Sequence, residues 1–212
     1  MTQTRENRTL LFDFGGVVQR LLDDLLAHQL AQALGLSSDE FLPLFKEAVP
    51  RIQTGRLSER DFLLTLSRTR GVKLSRDPEY LFVLPFLESS HLYGEVTNVL
   101  DELIANNVML ALLSNTIPSH AKLNRRRGNY HWFGENVFLS CCIGLRKPDP
   151  QSFSYVARTM KRDLDSLILV DDDSDNVQAA LGIGMGAILH ASETTDVRQL
   201  RSKIRQFGIE TN

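Results

Sequence analysis

The chain has 212 residues, a net charge of −2, and a composition that is 42% hydrophobic and 24% charged. That is enough for one large domain, or for a domain with an insertion, around a sizeable core. The near-neutral balance argues against a nucleic-acid binder that works by bulk charge, and no apolar run approaches the roughly 18 residues that span a bilayer.

The N-terminal MTQTRENRT is polar and carries no apolar stretch of the secretory type. The chain's two cysteines, Cys141 and Cys142, are adjacent, which rules out an ordinary loop-closing bridge. They read as small filler on a strand, and a reducing, cytoplasmic setting fits them best.

In chain order, the first apolar run is Thr9 to Phe14. It carries one aspartate, Asp13, and closes on Gly15 and Gly16. The interval from Gln19 to about Ser90 is rich in Leu and Phe at helical spacing. Helices are predicted there at Leu21 to Leu34, Asp39 to Ala48 and Ser58 to Thr69. Ser38 and Ser58 look like hydroxyl N-caps, and Gly35 and Gly71 stand where helix C-caps belong.

Beyond it the rhythm is regular. Further strands are predicted at Val108 to Leu113, Val137 to Cys142, Ser166 to Val170 and Gly186 to His190. Amphipathic helices are predicted at Glu95 to Asn106, Pro150 to Lys161, Asn176 to Gly184 and Asp196 to Phe207. The run Arg125-Arg126-Arg127 before Gly128 reads as a solvated helix end. Alternating strands and helices imply an α/β fold: a doubly wound, parallel, Rossmann-like sheet with right-handed crossovers. The expected division is a core of residues 1–18 and 91–212, with residues 19–90 as an inserted α-helical bundle that sits above the first strand as a cap.

In such a sheet the C-terminal strand ends open on one edge. The first brings Asp13. The second ends LLSNT, with Ser114 and Asn115. The third is followed by GLRKPDP, with Lys147. The fourth ends LVDDDSDN, with Asp171, Asp172, Asp173, Asp175 and Asn176. Clustered carboxylates repel and raise one another's pKa, and a hard divalent cation with oxygen ligands, Mg²⁺, relieves this. Donors, a lysine and Mg²⁺ around one nucleophilic carboxylate are the parts that phosphoryl transfer requires. Each piece alone reads as readily as a turn, a loop or an acidic helix start.

Together, FDFGGVV, LLSNT, GLRKPDP and VDDDSDNVQAA resemble, in order, the four motifs of the haloacid dehalogenase (HAD) superfamily of Mg²⁺-dependent phosphatases. TGRLSERDF, from Thr54 to Phe62, is similar to the small cap of the branch that holds bacterial sugar-phosphate phosphatases, glucose-1-phosphate phosphatase among them. The resemblance implies Asp13 as nucleophile and metal ligand, Ser114 and Asn115 as phosphate-binding residues, and Lys147 as the bridge between nucleophile and phosphate. It implies a metal site of Asp13, the Gly15 carbonyl, Asp172 and Asn176. The partner it implies is a small phosphorylated metabolite, and the chain a monomer or homodimer.

The departure is Gly15, where most members carry an aspartate that protonates the leaving oxygen and then activates water. Such a group contributes roughly 10²–10⁴-fold. Three outcomes stay open: a water or a cap residue supplies the proton; the substrate has an easier leaving group, such as an anomeric oxygen or an acyl or aryl phosphate; or the protein binds phosphate with weak or no turnover. A metal-free dehalogenase of the same fold has no use for three consecutive acids after the fourth strand. His28, Arg51, Arg56 and Arg146 could reach a substrate, His28 reading rather as a surface residue. Trp132 and Phe133 read as packing residues.

Overall fold

The computed structural model describes residues 8–21, 23–74 and 78–211; the polar N-terminal stretch of residues 1–7 lies outside them. Five parallel strands, β1 (Thr9–Phe12), β4 (Met109–Ser114), β5 (Val137–Leu139), β6 (Leu167–Asp171) and β7 (Gly186–Leu189), form one sheet in the order β5-β4-β1-β6-β7. β1 is central, with Phe12 in register with Leu112 on one side and Val170 on the other. All four of its residues are buried. Its uninterrupted apolar run is what a strand covered on both faces requires.

Side chains alternate across a strand, so each strand feeds two cores. Leu10, Phe12, Leu110, Leu112, Ile168 and Val170 meet the helices α5 (Gly94–Ala105) and α10 (Val197–Gln206) on one face. Leu11, Ala111, Leu113 and Leu169 meet α8 (Pro150–Met160) and α9 (Ser174–Gly182) on the other, through Phe153, Val156 and Ala180. The doubly wound parallel sheet is therefore as the sequence predicts.

Between β1 and α5 the chain leaves the sheet. It forms α1 (Asp23–Ala33), α2 (Ser38–Gln53), α3 (Glu59–Arg70) and α4 (Pro78–Ser89). These share a third core, centred on Leu30, Phe41, Ile52, Leu63 and Phe82, with Phe45 packed against the rings of Phe41, Phe62 and Phe82. The excursion opens and closes on a short antiparallel pair that the sequence did not reveal, β2 (Gln19–Leu21) with β3 (Ser90–Leu92). α4 is also absent from the expected helices.

Three local readings are corrected. The N-cap of α2 is Ser37, not Ser38; its hydroxyl accepts from Glu40 N–H while the Glu40 carboxylate accepts from Ser37 N–H, a complete capping box. α2 also runs on through Pro50 to Gln53, because its buried stripe of Phe41, Ala48 and Ile52 continues past the proline. Finally, Cys141 and Cys142 lie in a single turn, α7 (Ser140–Ile143), closed by Gly144 at φ 74°, rather than on the strand. Trp132 and Phe133 are buried as expected, in a 3-10 turn, and Trp132 Nε1 donates to Asp101 at 2.8 Å. Arg125, Arg126 and Arg127 are exposed at the end of α6 (Pro118–Arg126). No helix among the described residues is long and apolar enough to cross a membrane.

Candidate active site

Chain order reverses at β1: the sheet grows from β1 through β4 to β5, then returns to its other side at β6. Such a switch point opens a crevice at the C-terminal strand edge. Asp13 stands there one residue past β1, its N–H donating to the Val170 carbonyl at 2.8 Å. The strand thus hands Asp13 to the site with its backbone fixed. Asp13 Oδ1 accepts from the Phe14 N–H at 2.7 Å and lies 2.9 Å from Lys147 Nζ. Oδ1 is pinned by two donors, and Oδ2 is the oxygen left for other work.

Lys147 has no solvent exposure, and neither has the Asp171 side chain, 2.5 Å away. A buried ammonium is tolerable only when paired and hydrogen-bonded, and Lys147 is paired twice. Asp171 is equally committed. Its Oδ1 accepts from the Asp173 N–H at 2.9 Å and from Asn176 Nδ2 at 3.0 Å. Asn115 holds the lysine loop at both ends of its amide: Nδ2 donates to the Lys147 carbonyl, and Oδ1 accepts from the Lys147 N–H, each at 2.9 Å. The amide that the sequence assigns to phosphate is thus committed to positioning Lys147. Ser114 is buried at the end of β4 beside it.

The acidic run divides by role. Asp171 pairs with Lys147. Asp172 turns toward Asp13. Asp173 is the N-cap of α9, its side chain accepting from the Asp175 N–H at 2.8 Å. Ligand oxygens of Asp13, Asp171 and Asp172 all lie within 4.8 Å of one another. Burial pushes the Asp13 carboxyl up, to about 7, with Lys147 opposing it and Asp171 adding to it. Burial, and then Asp171, pushes Asp172 to about 6. Three acids around one lysine leave the cluster short of positive charge, and Asn176 Oδ1 is buried with no partner. An oxygen-only donor set of this kind fits Mg²⁺. Of the residues expected to hold it, Asp13 and Asp172 lie together, Asn176 is bonded to Asp171 beside them, and Gly15 follows Asp13 by two residues.

Gly16, which the sequence marks only as closing the first strand, has a role of its own. At φ +76° it occupies the left-handed region, and a Cβ there would stand 2.1 Å from Asp172 Oδ2. Only glycine lets the Asp172 carboxylate press against this backbone. The second glycine of FDFGGVV was the signal.

Above the cluster, a pocket of about 130 Å³ lies between the sheet edge and helices α1, α2 and α4. Gly15, Ser114 and Asn115 form its floor. Gln53 reaches down from α2: its Nε2 donates to the Asn115 carbonyl at 3.4 Å, and its Oε1 accepts from Arg146 Nε at 3.0 Å. On α6, Ser119 Oγ donates to Glu59 of α3 at 2.6 Å, and the ring of His120 stacks on Phe86 of α4, centroids 3.8 Å apart. Gln53 and His120 were missed; a lone Gln or His in a helix carries no sequence signal. Arg51 and Arg56 are exposed and do not line the pocket. His28 is at the surface, bonded to Ser38.

A doubly wound sheet with a carboxylate–lysine cluster at its switch point defines an α/β enzyme whose loops carry the chemistry. The chain belongs to the haloacid dehalogenase-like hydrolases, whose sequence profile it matches over residues 8–184. Among solved structures it is similar to a predicted HAD-like family hydrolase from Porphyromonas gingivalis, with a TM-score of 0.77 and 26% identity over 93% of this chain and 98% of that one. It shares its fold with a HAD family enzyme from Bacteroides thetaiotaomicron, solved in complex with magnesium and inorganic phosphate. There the TM-score is 0.76 and the identity 19%, over 91% of this chain and 98% of that one. It is 31% identical over 112 residues to a sesquiterpene phosphatase from Aspergillus oryzae, a match covering 50% of this chain and 56% of that protein. The chain spans little more than half the length of this curated relative, and less of others that it matches.

Proposed function

We propose that this hydrolase is a Mg²⁺-dependent phosphomonoesterase, acting on a small phosphorylated metabolite through an aspartyl-phosphate on Asp13. The observation that carries the reading is Asp13 with one oxygen pinned by Lys147 and the Phe14 N–H, facing two further carboxylates at the sheet edge. Asp13 Oδ2 attacks phosphorus; the Asp13–phosphorus bond forms as the bond to the ester oxygen breaks, that oxygen taking its proton from water or a cap residue. Water then attacks phosphorus and frees Asp13 and inorganic phosphate. Lys147 neutralises charge on the transferring group and holds Asp13 in line, and Asp171 and Asn115 hold Lys147. The Ser114 hydroxyl and the Asn115 main chain bind the phosphate oxygens. Asp13, the Gly15 carbonyl, Asp172 and Asn176 would hold Mg²⁺, which would supply charge stabilisation to the phosphoryl group. Residues 1–18 and 91–212 form the core in this reading, and residues 19–90 the cap that encloses the leaving group. The phosphatase name of the Aspergillus oryzae relative and the magnesium and phosphate held by the Bacteroides thetaiotaomicron enzyme support it.

Gly15 favours one rival, a phosphate-binding protein without turnover, since no Asp or Glu lines the pocket among the described residues. The discriminating measurement is release of p-nitrophenol from p-nitrophenyl phosphate with Mg²⁺, with and without EDTA, for the wild type and for Asp13→Asn. Metal-dependent release that is lost in Asp13→Asn is expected. No release above a blank selects the rival, and a variant with the wild-type rate removes Asp13 as nucleophile.

A further inference from the structure

The pocket over Gly15 has an unusual composition for a site beside so many charges. Among the described residues, no Lys, Arg, Asp or Glu lines it. Its walls are Phe14, Leu26, Phe45, Val49, Phe86 and Ile117. Its volume, about 130 Å³, is close to the ~150 Å³ of an apolar cavity that holds benzene.

The polar groups that remain are neutral and already partnered. Gln19 and Asn124 exchange two amide hydrogen bonds, each 3.1 Å, and Asn129 also donates to Asn124. Asn115 is tied at both ends to the Lys147 backbone. Gln53 is tied to the Asn115 carbonyl and to Arg146. The exception beyond the Ser114 and Thr116 hydroxyls is His120. One ring nitrogen bonds to the Phe82 backbone, while Nε2 is buried without a partner. Donation to a carbonyl fixes the tautomer, so Nε2 is a lone-pair acceptor.

A hydroxyl taken from water into this pocket therefore finds few polar groups free to meet it, chiefly the Ser114 and Thr116 hydroxyls and His120 Nε2. A sugar ring brings several, and each unpaired one is penalised. An apolar ring or a short branched chain loses nothing and covers the aromatic walls.

We propose that this pocket selects phosphate esters of uncharged, largely apolar alcohols of about six carbons, in preference to the sugar phosphates that the sequence resemblance implies. The proposal rests on the phosphatase reading, and its test separates the two. Cyclohexylmethyl phosphate and glucose 6-phosphate are both primary esters carrying a six-membered ring, one bare and one hydroxylated. With Mg²⁺, kcat/KM for the first should exceed that for the second by at least ~10-fold. Val49→Asp puts a charge on the pocket wall and should shrink that ratio. Equal or reversed specificity in the wild type, or a ratio that Val49→Asp leaves unchanged, overturns the proposal.

p-Nitrophenyl phosphate serves as the control for turnover. Were it not hydrolysed, the phosphatase reading would fall. The same two esters would then be compared by calorimetric binding in Mg²⁺, where the cyclohexylmethyl ester must be the tighter ligand for the proposal to stand.

Discussion

Gly15 stands two residues after Asp13, and a Cβ built on it meets nothing within 4 Å. Its neighbour Gly16 is the opposite case, closed to any side chain by Asp172. The doublet thus pairs a position that chemistry left empty with one that geometry requires. Room at Gly15 makes the missing acid testable. Gly15→Asp should fold normally and accelerate hydrolysis of alkyl phosphates, whose leaving oxygen needs a proton, by up to roughly 10²-fold. Phenyl esters, with a better leaving group, should gain less. Steady-state rates on the two classes decide it, and equal gains would assign the added carboxylate some other role. Asp13, Asp171 and Asp172 were legible because each sits at a strand end, and Lys147 because it lies in the loop after β5 and α7; the parallel topology brings these positions together. Gly16, Gln53 and His120 were not, because their roles depend on how elements pack, which no short motif records.

At the scale of elements, legibility followed periodicity. The five sheet strands are apolar runs that could hardly be misread, and α5, α8 and α10 each show one buried stripe. α4 was missed because PEYLFVLPFLES is apolar on nearly every side and carries Pro85 inside, so neither the helical period nor the usual breaker rule marks it. β2 and β3 are three residues each, too short to alternate. α7 was read as strand because Ser140, Cys141 and Cys142 continue an apolar run; Gly144 is what closes the turn. The capping box of α2 is worth a direct measurement. Ser37→Ala should cost about 1 kcal/mol, seen as a fall in Tm of about 2–4 °C for a chain of this size. Ser38→Ala, one residue away and outside the box, should cost less; the reverse order would place the cap where the sequence alone suggested.

For the whole molecule, His120 couples the sheet to the helices above it. Burial pushes its ring down to about 3, from an ordinary 6.5. The folded chain therefore keeps the ring neutral where the unfolded chain takes a proton. Its contribution is complete above pH 6.5 and declines as pH falls below that value, until the folded ring itself protonates near pH 3. At pH 5 the loss is roughly 2 kcal/mol. Urea unfolding at pH 7 and pH 5 should show His120→Gln losing less stability between the two than the wild type. Identical losses would mean that the ring reaches water before the chain unfolds.

The β2–β3 pair pins Leu21 opposite Ser90 and Gln19 opposite Leu92. The helices between them form an excursion that departs and returns at one point, and they meet the rest of the fold again where Gln53 bonds Asn115 and Arg146, Glu59 bonds Ser119, and Phe86 stacks on His120. Its contents could be replaced as a block provided that the stem still pairs and that the new helices meet Asn115, Arg146, Ser119 and His120. Asp13, Lys147, Asp171 and Asp172 all lie outside that block, whereas Leu26, Phe45, Val49, Gln53 and Phe86 lie within it. A graft cut at the stem would therefore carry the shape of the pocket from one protein to another while leaving the nucleophile and its charges in place.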